Sequence, residues 1–269
     1  MSKNSNIIAL TMGDPSGVGT EIAIRAKIKK IKKPDFFIIH DIDFVKKILK
    51  KMKSKLKVRE ISSPSEVKKL PKNYLAVLPI KISKNTQLGK KNLSNIKSIL
   101  TSIDLAVKLA KNGEVAAIVT NPINKDVIGK KVKNFKGHTE YLAKKDRTND
   151  QLMMMMNKNL KTIPLTTHIA INKVSNKING KDIIKAIINA NESLIKDFKI
   201  KKPRIAVTAL NPHAGDGGLI GNDEKVKILP AIKYCKKKKI SVDGPLPADS
   251  AFIKNNQNKY DIFICMFHD

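Results

Sequence analysis

The sequence predicts an α/β protein with mostly parallel sheets. Short apolar runs of strand length alternate with stretches of helical periodicity along the whole chain, the pattern of repeated strand–helix–strand crossovers. Several of the apolar runs end in glycine-rich or histidine-bearing turns, which is where open α/β sheets carry their sites. At 269 residues the chain can bury a full core, as one large or two smaller domains.

Ile7–Met12 reads as the first strand. The loop Gly13–Gly19 then turns into a helix expected to run through Lys30. Its glycines allow a tight turn, and the helix start suits an anion, but the spacing is not that of a dinucleotide fingerprint. An ordinary strand-to-helix turn is the competing reading. Asp35–His40 is the second strand, with His40 read as structural. Phe44–Met52 is a helix, Leu56–Ile61 a strand, Pro64–Leu70 a short helix, Tyr74–Pro79 a strand and 81–88 a loop. Asn92–Asn112 is a long amphipathic helix with Ile96, Ile99, Leu100, Ile103, Ala106, Val107 and Ala110 on one face. Val115–Thr120 is a strand, and Asn121–Lys125 follows it. Lys125 is either an anion contact or one more exposed lysine. A domain boundary is expected at Asn124, giving domains 1–124 and 125–269.

Gly137–Ala143 opens a helix in which His138 and Thr139 stand beside the first turn, placed to hold an anion; capping by Thr139 is the alternative. Leu152–Met156 is an apolar run read as a core strand, with Thr162–His168 as its hairpin partner or neighbour. Gly180–Phe198 is a helix with Ile183, Ile184, Ile187, Ile188, Leu194 and Ile195 inward. Arg204–Leu210 is a buried strand leading into Pro212, His213 and the glycines Gly215, Gly217, Gly218 and Gly221. Asp223–Lys239 is a helix that Asn222, Asp223 and Glu224 open as acceptors for its free N–H groups. Val242–Asp249 is a rigid proline- and glycine-rich loop, and Asp249 either supports a metal or acid–base site or caps a helix at Ser250–Asn255. Asp261–Phe267 is the last strand.

His168, His213 and His268 each follow a strand-like run. Three imidazoles in matching places suggest a divalent metal site with open positions, zinc first among the choices. The alternative is three separate hydrogen-bonded loop residues. Cys235 and Cys265 fit buried apolar positions better than a disulfide.

The formal charge of +30 points towards nucleic acid, but the lysines are spread over nearly every helix and only four arginines accompany them. Aromatics make up 4% of residues with no tryptophan, too few for a base-stacking surface. No nucleic-acid partner is expected, and the positive field instead favours an anionic small substrate. No apolar run reaches the length of a membrane span, and the N-terminus lacks a signal peptide's apolar region, so a cytoplasmic protein is expected.

Six motifs in order carry a family resemblance: GDPSGVG (Gly13–Gly19), GHTEYLA (Gly137–Ala143), TTH (Thr166–His168), LNPHAGDGG (Leu210–Gly218), GPLPAD (Gly244–Asp249) and FHD (Phe267–Asp269). The set resembles the 4-hydroxythreonine-4-phosphate dehydrogenases, NAD-dependent enzymes of vitamin B6 synthesis. Thr20 departs from the proline usual in that family, and Asp216 from its glutamate. The resemblance implies a two-domain fold like the isocitrate and isopropylmalate dehydrogenases, with the domains flanking a cleft. It implies NAD (or NADP) as cofactor, substrate binding by His138 and Thr139, metal ligation by His168, His213 and His268, and a homodimer with shared active sites. It also implies a segment after Asp269 with further substrate contacts and part of the cofactor pocket, so the chain is expected to be a fragment or a truncated product.

The implied reaction is oxidation of the secondary alcohol of 4-phosphooxy-L-threonine, followed by loss of carbon dioxide to give 3-amino-2-oxopropyl phosphate. Two rivals stand beside it: a related dehydrogenase of another phosphorylated four-carbon hydroxy acid, and an inactive truncated homologue that serves as a partner-binding subunit.

Overall fold

The computed structural model describes residues 6–29, 34–133, 135–148 and 151–268. Lys30, the expected end of the first helix, and the closing Asp269 lie outside them. The fold divides into two compact units, 1–149 and 150–269, each with its own five-stranded sheet.

The first unit runs β1 (Ile7–Leu10), α1 (Gly19–Ile28), β2 (Asp35–His40), α2 (Ile42–Lys51), β3 (Lys57–Glu60), β4 (Tyr74–Pro79), α3 (Ile96–Lys111), β5 (Ala117–Val119), α4 (Lys125–Gly129) and α5 (His138–Asp146). Its strands lie in the order β3-β4-β2-β1-β5, all parallel. Side chains alternate between the faces, as the strand period requires. Ile7, Ala9, Phe37, Ile39 and Leu78 pack with Ala106 and Leu109 of α3. Leu10, Ile38, Leu75 and Val77 pack on the other face with Ala23 and Ile24 of α1 and with Phe44, Val45 and Ile48 of α2. Both faces are therefore covered by helices, which is why these strands read as nearly continuous apolar runs. The boundary expected at Asn124 falls inside this unit. Asp104 of α3 holds α5 in place, accepting from Tyr141 Oη at 2.8 Å and Lys145 Nζ at 2.7 Å.

The second unit runs β6 (Met155–Met156), β7 (Lys161–Pro164), α6 (Val174–Lys177), α7 (Gly180–Lys196), β8 (Ile205–Thr208), α8 (Leu229–Lys237), β9 (Val242–Leu246), α9 (Ala248–Ala251), α10 (Lys254–Lys259) and β10 (Ile262–Cys265). The strand order is β6-β7-β10-β8-β9, parallel except for the β6–β7 hairpin. Ile163, Ile205, Val207, Ile262 and Ile264 meet Ile183, Ile187 and Leu194 of α7 and Ile232 and Cys235 of α8. Ala206 and Phe263 face Ala251 and Tyr260 on the opposite side.

Several expectations change. The methionine run is no core strand: Met155 and Met156 form a two-residue edge, 38% and 59% exposed, while Leu152 and Met154 pack on the core. Val242–Leu246 is strand β9 rather than a loop; it lies at the sheet edge, where proline is tolerated, and Gly244 at φ +135° brings its backbone against Val207 O. The helix expected at Ser250–Asn255 is two short helices broken at Phe252 and Ile253. Ile195 faces outward, at 45% exposed. The helix expected at Asp223–Lys239 opens with a π-helical turn, Glu224–Ile228, before α8. Both cysteines are free, and burial pushes the Cys265 thiol up to about 11, so it is inert near neutral pH. Among the described residues no helix is long and apolar enough to cross a membrane.

Candidate active site

In the second unit β7, β10 and β8 are adjacent and parallel, so their C-terminal ends share one edge. His168 follows β7, His268 follows β10 and His213 follows β8. The first two strand ends are tied by Thr166 Oγ1 donating to Met266 O at 2.8 Å and Leu165 N to Cys265 O at 2.7 Å. The His168 and His268 rings lie 6.4 Å apart between centroids. The other two ends are tied by Ala209 N donating to Leu246 O at 2.7 Å. That bond carries the turn holding Asp249 alongside the turn holding His213, and His213 Nδ1 lies 3.8 Å from Asp249 Oδ2. Asp249 sits in the first turn of α9 behind Pro247 and makes no cap bond, so the capping alternative is not realised. His168, His213, His268 and Asp249 are all exposed.

Two of these histidines occupy left-handed backbone. His168 has φ 54°, and His213 (φ 49°), Ala214 (φ 56°), Gly215 (φ 78°), Asp216 (φ 43°) and Gly217 (φ 63°) form an unbroken left-handed run. Each non-glycine in that region costs roughly 1–2 kcal/mol, and such residues cluster at functional sites.

Glu224 holds the run in place. Its Oε1 accepts from Leu210 N at 2.8 Å and Asn211 N at 2.7 Å, and its Oε2 from Asn211 Nδ2 at 3.0 Å. Burial opposes its ionisation, but the bonds from Asn211 and Leu210 outweigh burial and hold the carboxyl below its usual range. A Cβ on Gly215 would stand 2.7 Å from Glu224 Oε2 and 2.8 Å from Gly221 O, and one on Gly221 would meet the Asn211 amide. Two of the loop's glycines are thus required by this clamp. Asp223 extends it to Lys227 Nζ at 2.6 Å and Ser175 Oγ at 2.9 Å. Glu224 read in sequence as a helix-opening acceptor. Only the fold-back of the loop reveals its partners, so no local signal marks it.

Among the described residues no three ligating side chains come together closely enough to hold a metal ion. The donor chemistry fits a divalent ion, being imidazoles on three adjacent strand ends. Among the described residues the arrangement stops at two pairs, His168 with His268 and His213 with Asp249.

In the first unit β1 and β5 are neighbours, yet the chain leaves them for opposite sides of the sheet, a topological switch point. The loops after both strands are stitched together. Asp14 N donates to Pro122 O at 2.9 Å, and Asn121 Nδ2 to Thr11 O at 3.0 Å. Gly13, at φ +72°, leaves no room for a side chain: a Cβ there would stand 2.6 Å from Asn121 Cβ. Thr20 and His40, the family departure and the histidine outside the motifs, bond each other at 3.0 Å inside the core.

His138 begins α5 behind Gly137, which is the N-cap; Thr139 is exposed and does not occupy the cap position. His138 Nε2 is buried with no hydrogen-bond partner. Burial, and then the nearby Lys125 ammonium, hold this imidazole below its ordinary pKa and therefore neutral.

A model of the pyridoxal phosphate biosynthetic protein PdxA matches residues 32–269. The chain belongs to the PdxA family. A 4-hydroxythreonine-4-phosphate dehydrogenase from Pseudoalteromonas translucida is 32% identical over 262 residues, covering 97% of this chain and 79% of the relative. A relative from Oceanobacillus iheyensis, provisionally named D-threonate 4-phosphate dehydrogenase, is 34% identical over 278 residues, covering 100% of this chain and 82% of its own. The crystal structure of 4-hydroxythreonine-4-phosphate dehydrogenase from Klebsiella pneumoniae matches with a TM-score of 0.91 at 31% identity, covering 98% of this chain and 82% of that one. The chain is thus an oxidoreductase of the PdxA family with that family's mostly parallel α/β architecture.

Proposed function

We propose that this PdxA-family chain oxidises and decarboxylates 4-phosphooxy-L-threonine to 3-amino-2-oxopropyl phosphate in vitamin B6 synthesis, with NAD or NADP as electron acceptor. The observation that carries the reading is the gathering of His168, His268, His213 and Asp249 at adjacent ends of one parallel sheet. In this reading His168, His213 and His268 hold a divalent ion, zinc first among the choices, and a second copy of the chain completes each ligand set. When bound, the ion would make the substrate hydroxyl easier to deprotonate and stabilise the negative charge left by decarboxylation. Asp249, 3.8 Å from His213 Nδ1, is placed to orient the ring once an ion is bound, leaving Nε2 to face it. His138 and Thr139 bind the substrate's anionic group. The homodimer and a cytoplasmic setting belong to the same proposal.

The second reading, a dehydrogenase of D-threonate 4-phosphate, is favoured by the relative from Oceanobacillus iheyensis. The two substrates differ where one carries an amino group and the other a hydroxyl. Parallel kinetics on both, with zinc and NAD supplied, separate the readings. A kcat/KM larger for 4-phosphooxy-L-threonine supports the first, and the reverse order overturns it in favour of the second.

A further inference from the structure

The motif regions Asn121–Lys125 and Gly137–Thr139 lie far apart in the chain, yet they meet in the first unit. A Cβ on Gly137 would stand 3.4 Å from both Cε and Nζ of Lys125 and 3.5 Å from Glu140 Oε2. The lysine stem thus passes over the backbone that begins α5, beside His138. The ammonium also acts electrostatically on His138. Lys125 is exposed and makes no hydrogen bond or ion pair among the described residues. By contrast Lys91, Lys81 and Lys145 are all paired with carboxylates. Glu140 is the nearby group of opposite charge, and it too forms no ion pair with Lys125 within 4.0 Å among the described residues.

This leaves a cation without an ion-pair partner among the described residues, an imidazole with an orphaned nitrogen and an exposed threonine at the start of one helix. Together they supply an ammonium, a ring N–H and a hydroxyl to a group with several acceptor oxygens and a negative charge. We propose that Lys125 is the cation that binds the phosphate monoester of the substrate, together with His138 and Thr139. The proposal rests on the reading of His138 and Thr139 as substrate-binding residues. It adds to them the residue that supplies the charge and identifies the group it neutralises.

The test separates anion binding from turnover. Inorganic phosphate is titrated into the purified chain while the His138 ring signals are followed by NMR, in the wild type, in Lys125→Met, in Lys125→Arg and in Lys46→Met, an exposed lysine of α2. Wild type and Lys46→Met should respond alike. Lys125→Met should bind roughly 10- to 100-fold more weakly, the range of one charge-assisted hydrogen bond, and Lys125→Arg should recover most of the loss. With 4-phosphooxy-L-threonine, most of the loss in Lys125→Met should appear in KM. Equal phosphate affinity in Lys125→Met and wild type overturns the proposal, as does a wild-type chain whose His138 signals ignore phosphate. A wild type that binds phosphate through Lys125 but oxidises neither phosphorylated acid supports the anion site while sinking the dehydrogenase reading.

Discussion

His213 and Ala214 hold a backbone conformation that glycine alone adopts without penalty. The strain is local, so it can be relieved one residue at a time. Ala214→Gly is expected to stabilise the protein by up to about 1 kcal/mol in urea denaturation, the left-handed penalty less the greater freedom of glycine in the unfolded chain. His213→Gly should gain similarly in stability yet lose turnover. A destabilised His213→Gly would mean that the imidazole contributes to the fold rather than to a site. His40 shows the opposite design. Asp41 N donates to its Nδ1 at 2.8 Å and Thr20 Oγ1 lies 3.0 Å from its Nε2, so the proton sits on Nε2 and the ring is neutral. Burial, opposed by Asp41, lowers its pKa from 6.5 to about 4. Below the unfolded value the unfolded chain takes up a proton that the folded chain refuses. The His40 contribution is therefore fully present above pH 6.5 and is lost as the pH falls to about 4, a loss on the order of 3 kcal/mol. Denaturation midpoints of wild type and His40→Asn should converge between pH 7 and pH 4.5; parallel curves would contradict this.

Among the elements, the clamp of Glu224 on Leu210 and Asn211 fixes where the His213 turn begins. Glu224→Ala leaves two part-buried backbone N–H groups without this acceptor, and a loss of about 2 kcal/mol is expected on denaturation. Gly215→Ala attacks the same clamp from the other side, because its Cβ would meet Glu224 Oε2. Both variants should also lower zinc uptake; normal uptake by folded Glu224→Ala would show that the clamp does not position His213. The elements also show what periodicity conveys. Strands β1, β2, β4, β8 and β10 were legible because each is covered on both faces and reads as an apolar run. Strand β9 was not, because an edge strand tolerates Pro245 and a backbone contact at Gly244 that look like loop chemistry. The methionine run misled for the converse reason: its apolar composition matched a core strand, whereas Met155 and Met156 form an exposed hairpin arm.

At the scale of the whole chain, the histidine-bearing strand ends were legible in sequence, as was the family, from motifs spread in order over the chain. Less legible was how the histidines pair. Sequence placed His168, His213 and His268 at three strand ends but could not show that His213 turns to Asp249 while His168 and His268 stay near each other. Those pairings come from which strands are neighbours, a property of the sheet as a whole. The net charge of +30 is likewise a property of the whole chain, and it favours capture of an anionic substrate. The central claim is that this PdxA-family chain is a metal-assisted dehydrogenase whose site is built on these histidines. Its most direct test is NADH absorbance during incubation of the purified chain with zinc, NAD and 4-phosphooxy-L-threonine, in parallel with His213→Ala. NADH formation by the wild type, lost with bound zinc in the variant, is the expected result. Equal NADH formation by both proteins, or a folded wild type that neither binds zinc nor forms NADH, would contradict the claim.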